Sequence, residues 1–109
     1  MKLYVAGPMT GYPEHNFPAF QAAAAQLREA GYEVVSPAEQ HYNEDLTQPW
    51  AWYLKQDIPV MLGCDGVALL PGWGKSRGAK LEQTVADAVG MKCWPVEGWL
   101  GYLDLVTLS

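Results

Sequence analysis

The chain reads as an α/β protein: a small doubly wound three-layer sandwich whose parallel sheet has four to five strands in the order 2-1-3-4. Three observations predict this. Short runs of strand-forming residues at 2–6, 32–35, 67–70 and 91–96 alternate with segments of helical period along the whole sequence. These runs are apolar nearly throughout, the mark of strands covered on both faces. Turn residues follow three of them, as Gly7-Pro8, Ser36-Pro37 and Pro71-Gly72. With right-handed crossovers, the sheet reverses its direction of winding between strands one and three. A ligand crevice therefore belongs at the carboxyl ends of those two strands.

The elements follow in order. Strand one, Leu3-Tyr4-Val5-Ala6, runs into a loop carrying Gly7, Met9 and Gly11. A helix follows with Asn16 as N-cap and Pro18 in its first turn. Phe17, Phe20, Ala24 and Leu27 share one face, and Gly31 supplies the stop. After strand two, the polar stretch 38–48 holds His41, Glu44 and Asp45 and reads as an irregular connector. The second helix begins near Pro49. Trp50, Tyr53, Leu54 and Met61 form its apolar stripe, read as core, and Asp57 lies within that stripe. Pro59 should kink or end the helix close to Asp57. The apolar tail from Gly98 to Ser109 reads as a last helix or strand, or as part of a subunit interface.

All 109 residues fit one domain, half of them hydrophobic. A net charge of −5 argues against a nucleic-acid polymer or an anionic membrane as partner. No apolar run has the length of a signal or membrane segment, and two isolated cysteines, Cys64 and Cys93, suit core thiols in a reducing cytoplasm. His15 and His41 are isolated, so no metal constellation is assembled, and no cofactor is expected.

The chemistry concentrates at residues 69–82. Gly72, Trp73 and Gly74 lie between the end of strand three and a helix that starts near Ser76, a place where free backbone N–H groups and a helix dipole attract an anion. The spacing is not that of a Walker A loop. At about 100° per residue, Gly78, Leu81, Val85, Ala86 and Val89 form an apolar stripe, and Glu82 falls on it. Asp57 and Glu82 are thus two carboxylates on inward faces. Each is either held in an ion pair, for instance with Arg77 or Lys55, or used for acid and nucleophile chemistry at a sugar. Tyr4 packs in strand one and could orient such a carboxylate. Asp65, just before strand three, either binds a ribose hydroxyl or caps a turn. Trp73 could stack on a base or exclude water.

The start Leu3-Tyr4-Val5-Ala6-Gly7-Pro8-Met9, the acid in the second helix and Ser76-Arg77-Gly78-Ala79-Lys80-Leu81-Glu82 resemble the nucleoside 2-deoxyribosyltransferase superfamily, which includes the 2'-deoxynucleoside 5'-phosphate N-hydrolases. The resemblance spans residues 1 to about 97. It is greatest to an uncharacterised, phage-associated branch with the pattern Cys-Asp, Leu-Pro-Gly-Trp and Ser-x-Gly-Ala-x-x-Glu. The resemblance implies a flavodoxin- or Rossmann-like fold and cleavage of the N-glycosidic bond of a deoxynucleotide or nucleoside by a hydrolase or transferase. It also implies a homodimer or higher homo-oligomer. Glu82 would be the nucleophile, Asp57 the acid that assists departure of the base, and Tyr4 the residue that orients Glu82. Ser76, where the nucleoside transferases carry an acid, would contact a 5'-phosphate, with Gly7, Met9, Gly11, Asp65, Gly72, Trp73 and Gly78 around the substrate. The first loop carries no basic residue to complete a phosphate clamp. The alternative is a binding module that senses a nucleotide in the same crevice without turnover. A third reading, by fold analogy, is a glycohydrolase acting on a nicotinamide dinucleotide.

Overall fold

The computed structural model describes residues 1–41 and 48–108, without the side chains at 104 and 106–108. Four parallel strands, β1 (Lys2–Ala6), β2 (Glu33–Val35), β3 (Gly66–Leu69) and β4 (Lys92–Pro95), pair in the order β2-β1-β3-β4. Tyr4 pairs with Val35 on one side and Val67 on the other, and Val67 pairs with Cys93. The predicted 2-1-3-4 order therefore holds. The helices are α1 (Phe17–Glu29), α2 (Pro37–Gln40), α3 (Trp50–Leu62), α4 (Arg77–Ala88) and α5 (Val96–Leu108). None among the described residues is long and apolar enough to cross a membrane.

The period-two alternation of β1 divides the core. Leu3 and Val5 meet Phe20, Ala23 and Leu27 of α1 and Trp99 of α5 on one face. Tyr4 and Ala6 point to the other, with Met61 of α3, Val67 and Leu69 of β3, and Ala86 of α4. The apolar tail forms α5, which is fixed to the sheet by Trp99. Its indole Nε1 donates to the Val67 carbonyl at 2.8 Å, and the Tyr32 hydroxyl donates to the Trp99 carbonyl at 2.6 Å. Gly66 makes room for the indole, because a Cβ there would lie 2.6 Å from Trp99 Cζ2.

Four expectations change. Helix α3 does not end near Asp57 but runs to Leu62 with Pro59 inside it. Pro59 is exposed, where water can take the hydrogen bond that its ring denies the helix. In α4 the buried positions are Ala79, Glu82 and Ala86, while Val89 is 59% exposed. The inward stripe is therefore centred on Glu82 itself. Asn16 holds the N-cap position of α1 but makes no capping bond; its side chain donates to the Pro8 carbonyl at 2.9 Å. With Glu14 and His15 it belongs to a run of three non-glycine residues at φ 53°, 54° and 62°, an uncommon left-handed turn that links the loop after β1 to α1. Finally, residues 38–40 of the supposed connector belong to α2, which begins at Pro37; Glu44 and Asp45 lie outside the described residues.

The carboxyl ends of β1 and β3 adjoin closely. A Cβ on Gly7 would sit 2.7 Å from the Leu70 Cβ, so only glycine lets these two segments meet.

Candidate active site

At the carboxyl ends of β1 and β3 lies a cleft of about 170 Å³, several times the ~30 Å³ share of a water molecule. Tyr4, from β1, lies at its base and is fully buried. Its hydroxyl donates to Glu82 Oε2 at 2.5 Å, joining residues 78 apart in sequence. The sheet brings Tyr4 to this place and the first turns of α4 bring Glu82. Glu82 is only 7% exposed and its hydrogen bond comes from a phenol rather than a cation.

Removal from water disfavours the charged carboxylate and pushes Glu82 up to about 7. The hydrogen bond from Tyr4 opposes that shift, and the charge of nearby Asp57 adds to it. Burial likewise carries the Tyr4 hydroxyl well above its ordinary range, assisted by the charges of Glu82 and Asp57. Tyr4 thus stays protonated and remains a donor to Glu82. Glu82, in contrast, is poised near neutrality, where a small change of surroundings sets its charge.

Asp57 enters from the middle of α3 and is 9% exposed. Its Oδ1 lies 2.7 Å from Nε2 of His41, which is itself buried at the end of α2. Tyr53 meets the His41 ring edge-on at 5.4 Å between centroids. Asp57 and His41 line the same cleft as Tyr4 and Glu82. The cleft therefore contains two hydrogen-bonded pairs, a phenol with a carboxylate and an imidazole with a carboxylate.

Ser76 begins α4 at the rim. Its Oγ accepts from the Ala79 backbone N–H at 3.2 Å, an ordinary N-cap that leaves the hydroxyl proton available. No lysine or arginine lines the cleft among the described residues. Arg77 lies outside it, with its guanidinium carbon 3.6 Å from the centroid of the Trp50 ring, and Trp50 is itself a lining residue, 38% exposed. Among the described residues no group of three His, Cys, Asp or Glu could hold a metal ion.

A family model described as a domain of unknown function, DUF4406, matches residues 1–94. The chain belongs to the DUF4406 family. Among solved structures, a 2-deoxyribosyltransferase from the psychrotolerant bacterium Bacillus psychrosaccharolyticus resembles this DUF4406 chain with a TM-score of 0.67. The two are 21% identical over 85% of this chain and 69% of the transferase, a likeness that establishes the shared fold. No curated protein sequence matches the chain.

Within the DUF4406 chain the sequence-predicted site residues divide. Tyr4, Met9, Asp57, Ser76, Gly78 and Glu82 come together around the cleft. Asp65 does not. It precedes β3 at the amino ends of the strands, where its Oδ2 accepts from the Lys2 N–H at 2.7 Å, so it ties the start of β1 to the segment before β3 at the far end of the sheet. Gly7, Gly11, Gly72 and Trp73 are not lining residues either. Gly7 serves the approach to Leu70, and Gly11 and Gly72 take left-handed turn conformations. Trp73 packs, partly buried, against the core cluster that includes Tyr4, Met61 and Leu69. In the other direction, Trp50, Tyr53 and Leu54, expected in the core, form a wall of the cleft. His41 was missed as a site residue. The signal available was its place shortly before a helix that carries an inward carboxylate, but the sequence around it has no periodicity to show which way it faces.

Proposed function

We propose that the protein cleaves the N-glycosidic bond of a 2'-deoxynucleoside 5'-monophosphate through Glu82, as a hydrolase or as a transferase to a second base. The observation that carries this reading is the buried Tyr4–Glu82 hydrogen bond in a cleft shared with the Asp57–His41 pair. Two carboxylates in unlike surroundings suit the two roles that glycosyl chemistry needs.

In this reading Tyr4 holds one oxygen of the ionised Glu82 and leaves the other to attack the anomeric carbon. The carbon–nitrogen bond breaks, its electrons pass to the base, and a proton from the Asp57–His41 pair neutralises the departing nitrogen. Water, or a second base, then attacks the glycosyl ester. The pair takes up the proton of that nucleophile, and Glu82 is released as carboxylate. The Ser76 hydroxyl and the amino end of α4 receive the 5'-phosphate, where the helix dipole favours an anion. A carboxylate at position 76 would repel it. The half-exposed wall of Trp50, Tyr53 and Leu54 offers apolar surface to a planar base.

Incubation with each of the four deoxynucleoside monophosphates, followed by chromatography for free base, tests the proposal. Release from at least one, lost in Glu82→Ala, is the expected result. Tight binding with no release, unaffected by Glu82→Gln and lost in Ser76→Asp, would make the protein a nucleotide-binding module instead. Exchange of an added free base into the nucleotide would distinguish a transferase from a hydrolase.

A further inference from the structure

Helix α2 has only four residues, and its N-cap Ser36 makes no side-chain capping bond. So short a helix has no stability of its own, yet it delivers His41 to Asp57. A forked contact holds it from outside. Arg28, in the last turn of α1, donates through Nη1 to Glu39 Oε2 at 2.8 Å and through Nη2 to Glu39 Oε1 at 2.6 Å. The same Nη2 donates to the Val34 carbonyl in β2 at 2.9 Å. One guanidinium thereby ties together the end of α1, the strand before α2 and the middle of α2. Within α2, the His41 N–H donates to the Pro37 carbonyl at 3.0 Å, so the frame that Glu39 fixes includes the backbone of His41.

Both side chains of the ion pair are 44% exposed. A surface pair of this kind adds little to stability in general, but the two-pronged geometry restricts direction as well as distance. The mutual hydrogen bonds raise the Arg28 guanidinium and lower the Glu39 carboxyl, so the contact is charged at neutral pH. Neither residue lines the cleft.

We infer that Arg28 and Glu39 are a positioning pair for the site: they set the orientation of α2 and so the alignment of His41 on Asp57. The catalytic part of this inference rests on the function proposed above, because it assigns Asp57 and His41 the proton transfer. The geometric part does not.

Two readouts separate the layers. The chain has two histidines, so their imidazole NMR signals can be assigned with a single His15→Asn variant. In Glu39→Ala and Arg28→Ala the His41 ring signals are expected to move toward those of a solvated imidazole, while circular dichroism stays that of the folded protein. With a deoxynucleoside monophosphate that the wild type cleaves, kcat should fall roughly ten- to hundredfold with KM nearly unchanged, as befits a misaligned proton donor. The exchanged pair Arg28→Glu with Glu39→Arg should recover only the part of both that the ion pair supplies, because a carboxylate at position 28 cannot donate to the Val34 carbonyl. His41 signals that match the wild type in both single variants would overturn the inference, even if the melting temperature falls. Unmoved kcat with displaced His41 signals would limit the pair to geometry and remove its catalytic part. If the wild type releases no base, the function proposed above fails, and the NMR arm still decides whether the pair sets His41.

Discussion

Glu82 is the residue whose chemistry and stability pull in opposite directions. In its proposed role as nucleophile it must be ionised where burial disfavours the ion. Its carboxyl is carried from 4.5 to about 7, and each unit of displacement corresponds to about 1.4 kcal/mol. The sign follows from linkage. Below the unfolded-state value, Glu82 is protonated in both states and costs nothing. As pH rises, the unfolded chain releases this proton first, so stability falls until about pH 7 and the cost is then complete. Replacing Glu82 with Gln keeps the shape and an acceptor for the Tyr4 hydroxyl. Denaturant titrations should therefore find Glu82→Gln more stable than wild type by about 3 kcal/mol at pH 8 and nearly equal near pH 4.5. A difference independent of pH would contradict the assigned environment. The same displacement predicts that kcat/KM for base release rises with pH through about 7. In Tyr4→Phe the hydrogen bond that favours the carboxylate is gone, so that rise should move to higher pH.

Among the elements, the turn before α1 and the short α2 are the ones that local propensity did not predict. Glu14, His15 and Asn16 occupy left-handed φ, a region in which an L-residue costs roughly 1–2 kcal/mol relative to the right-handed form. Glu14 is exposed. Glu14→Gly removes the local cost while adding freedom to the unfolded chain. The net effect should be a small gain, about 0.5 kcal/mol, read as a rise in melting temperature; a fall would mean that the Glu14 side chain makes a stabilising contact. The long periodic segments, by contrast, were legible. Phe20, Ala24 and Leu27 declared the buried face of α1, and the apolar runs declared β1 and β3. Glu82 and Asp57 were legible as site candidates because a carboxylate on an apolar stripe stands out against its neighbours. His41 was not, since a histidine in a stretch without hydrophobic periodicity carries no pattern and its partner lies 16 residues away. Asp65 was placed around the substrate by the resemblance; its position just before β3 already put it at the amino end of a strand whose carboxyl end faces the cleft. Trp50, Tyr53 and Leu54 show the correct period, but period alone does not separate a core face from the wall of a cleft.

At the scale of the molecule, the site is a product of topology. The parallel order β2-β1-β3-β4 places the loops after β1 and β3 side by side, and the helices after them arrive from opposite ends of the sequence. Tyr4 and Glu82 meet only when the sheet is complete, and Asp57 and His41 meet only when α2 and α3 are both seated. The acidic chain concentrates two carboxylates in a cleft without lysine or arginine among its described lining residues. It therefore relies on burial, a phenol and an imidazole to control them. The central claim is that Glu82 forms a bond to the sugar. The most direct measurement is mass spectrometry of the protein quenched during reaction with a cleaved deoxynucleoside monophosphate. The account predicts that the peptide containing Glu82 gains the mass of a 2-deoxyribose 5-phosphate residue, and that Glu82→Gln shows neither adduct nor base release. Base release that continues in Glu82→Gln, or an adduct on any other residue, would contradict it.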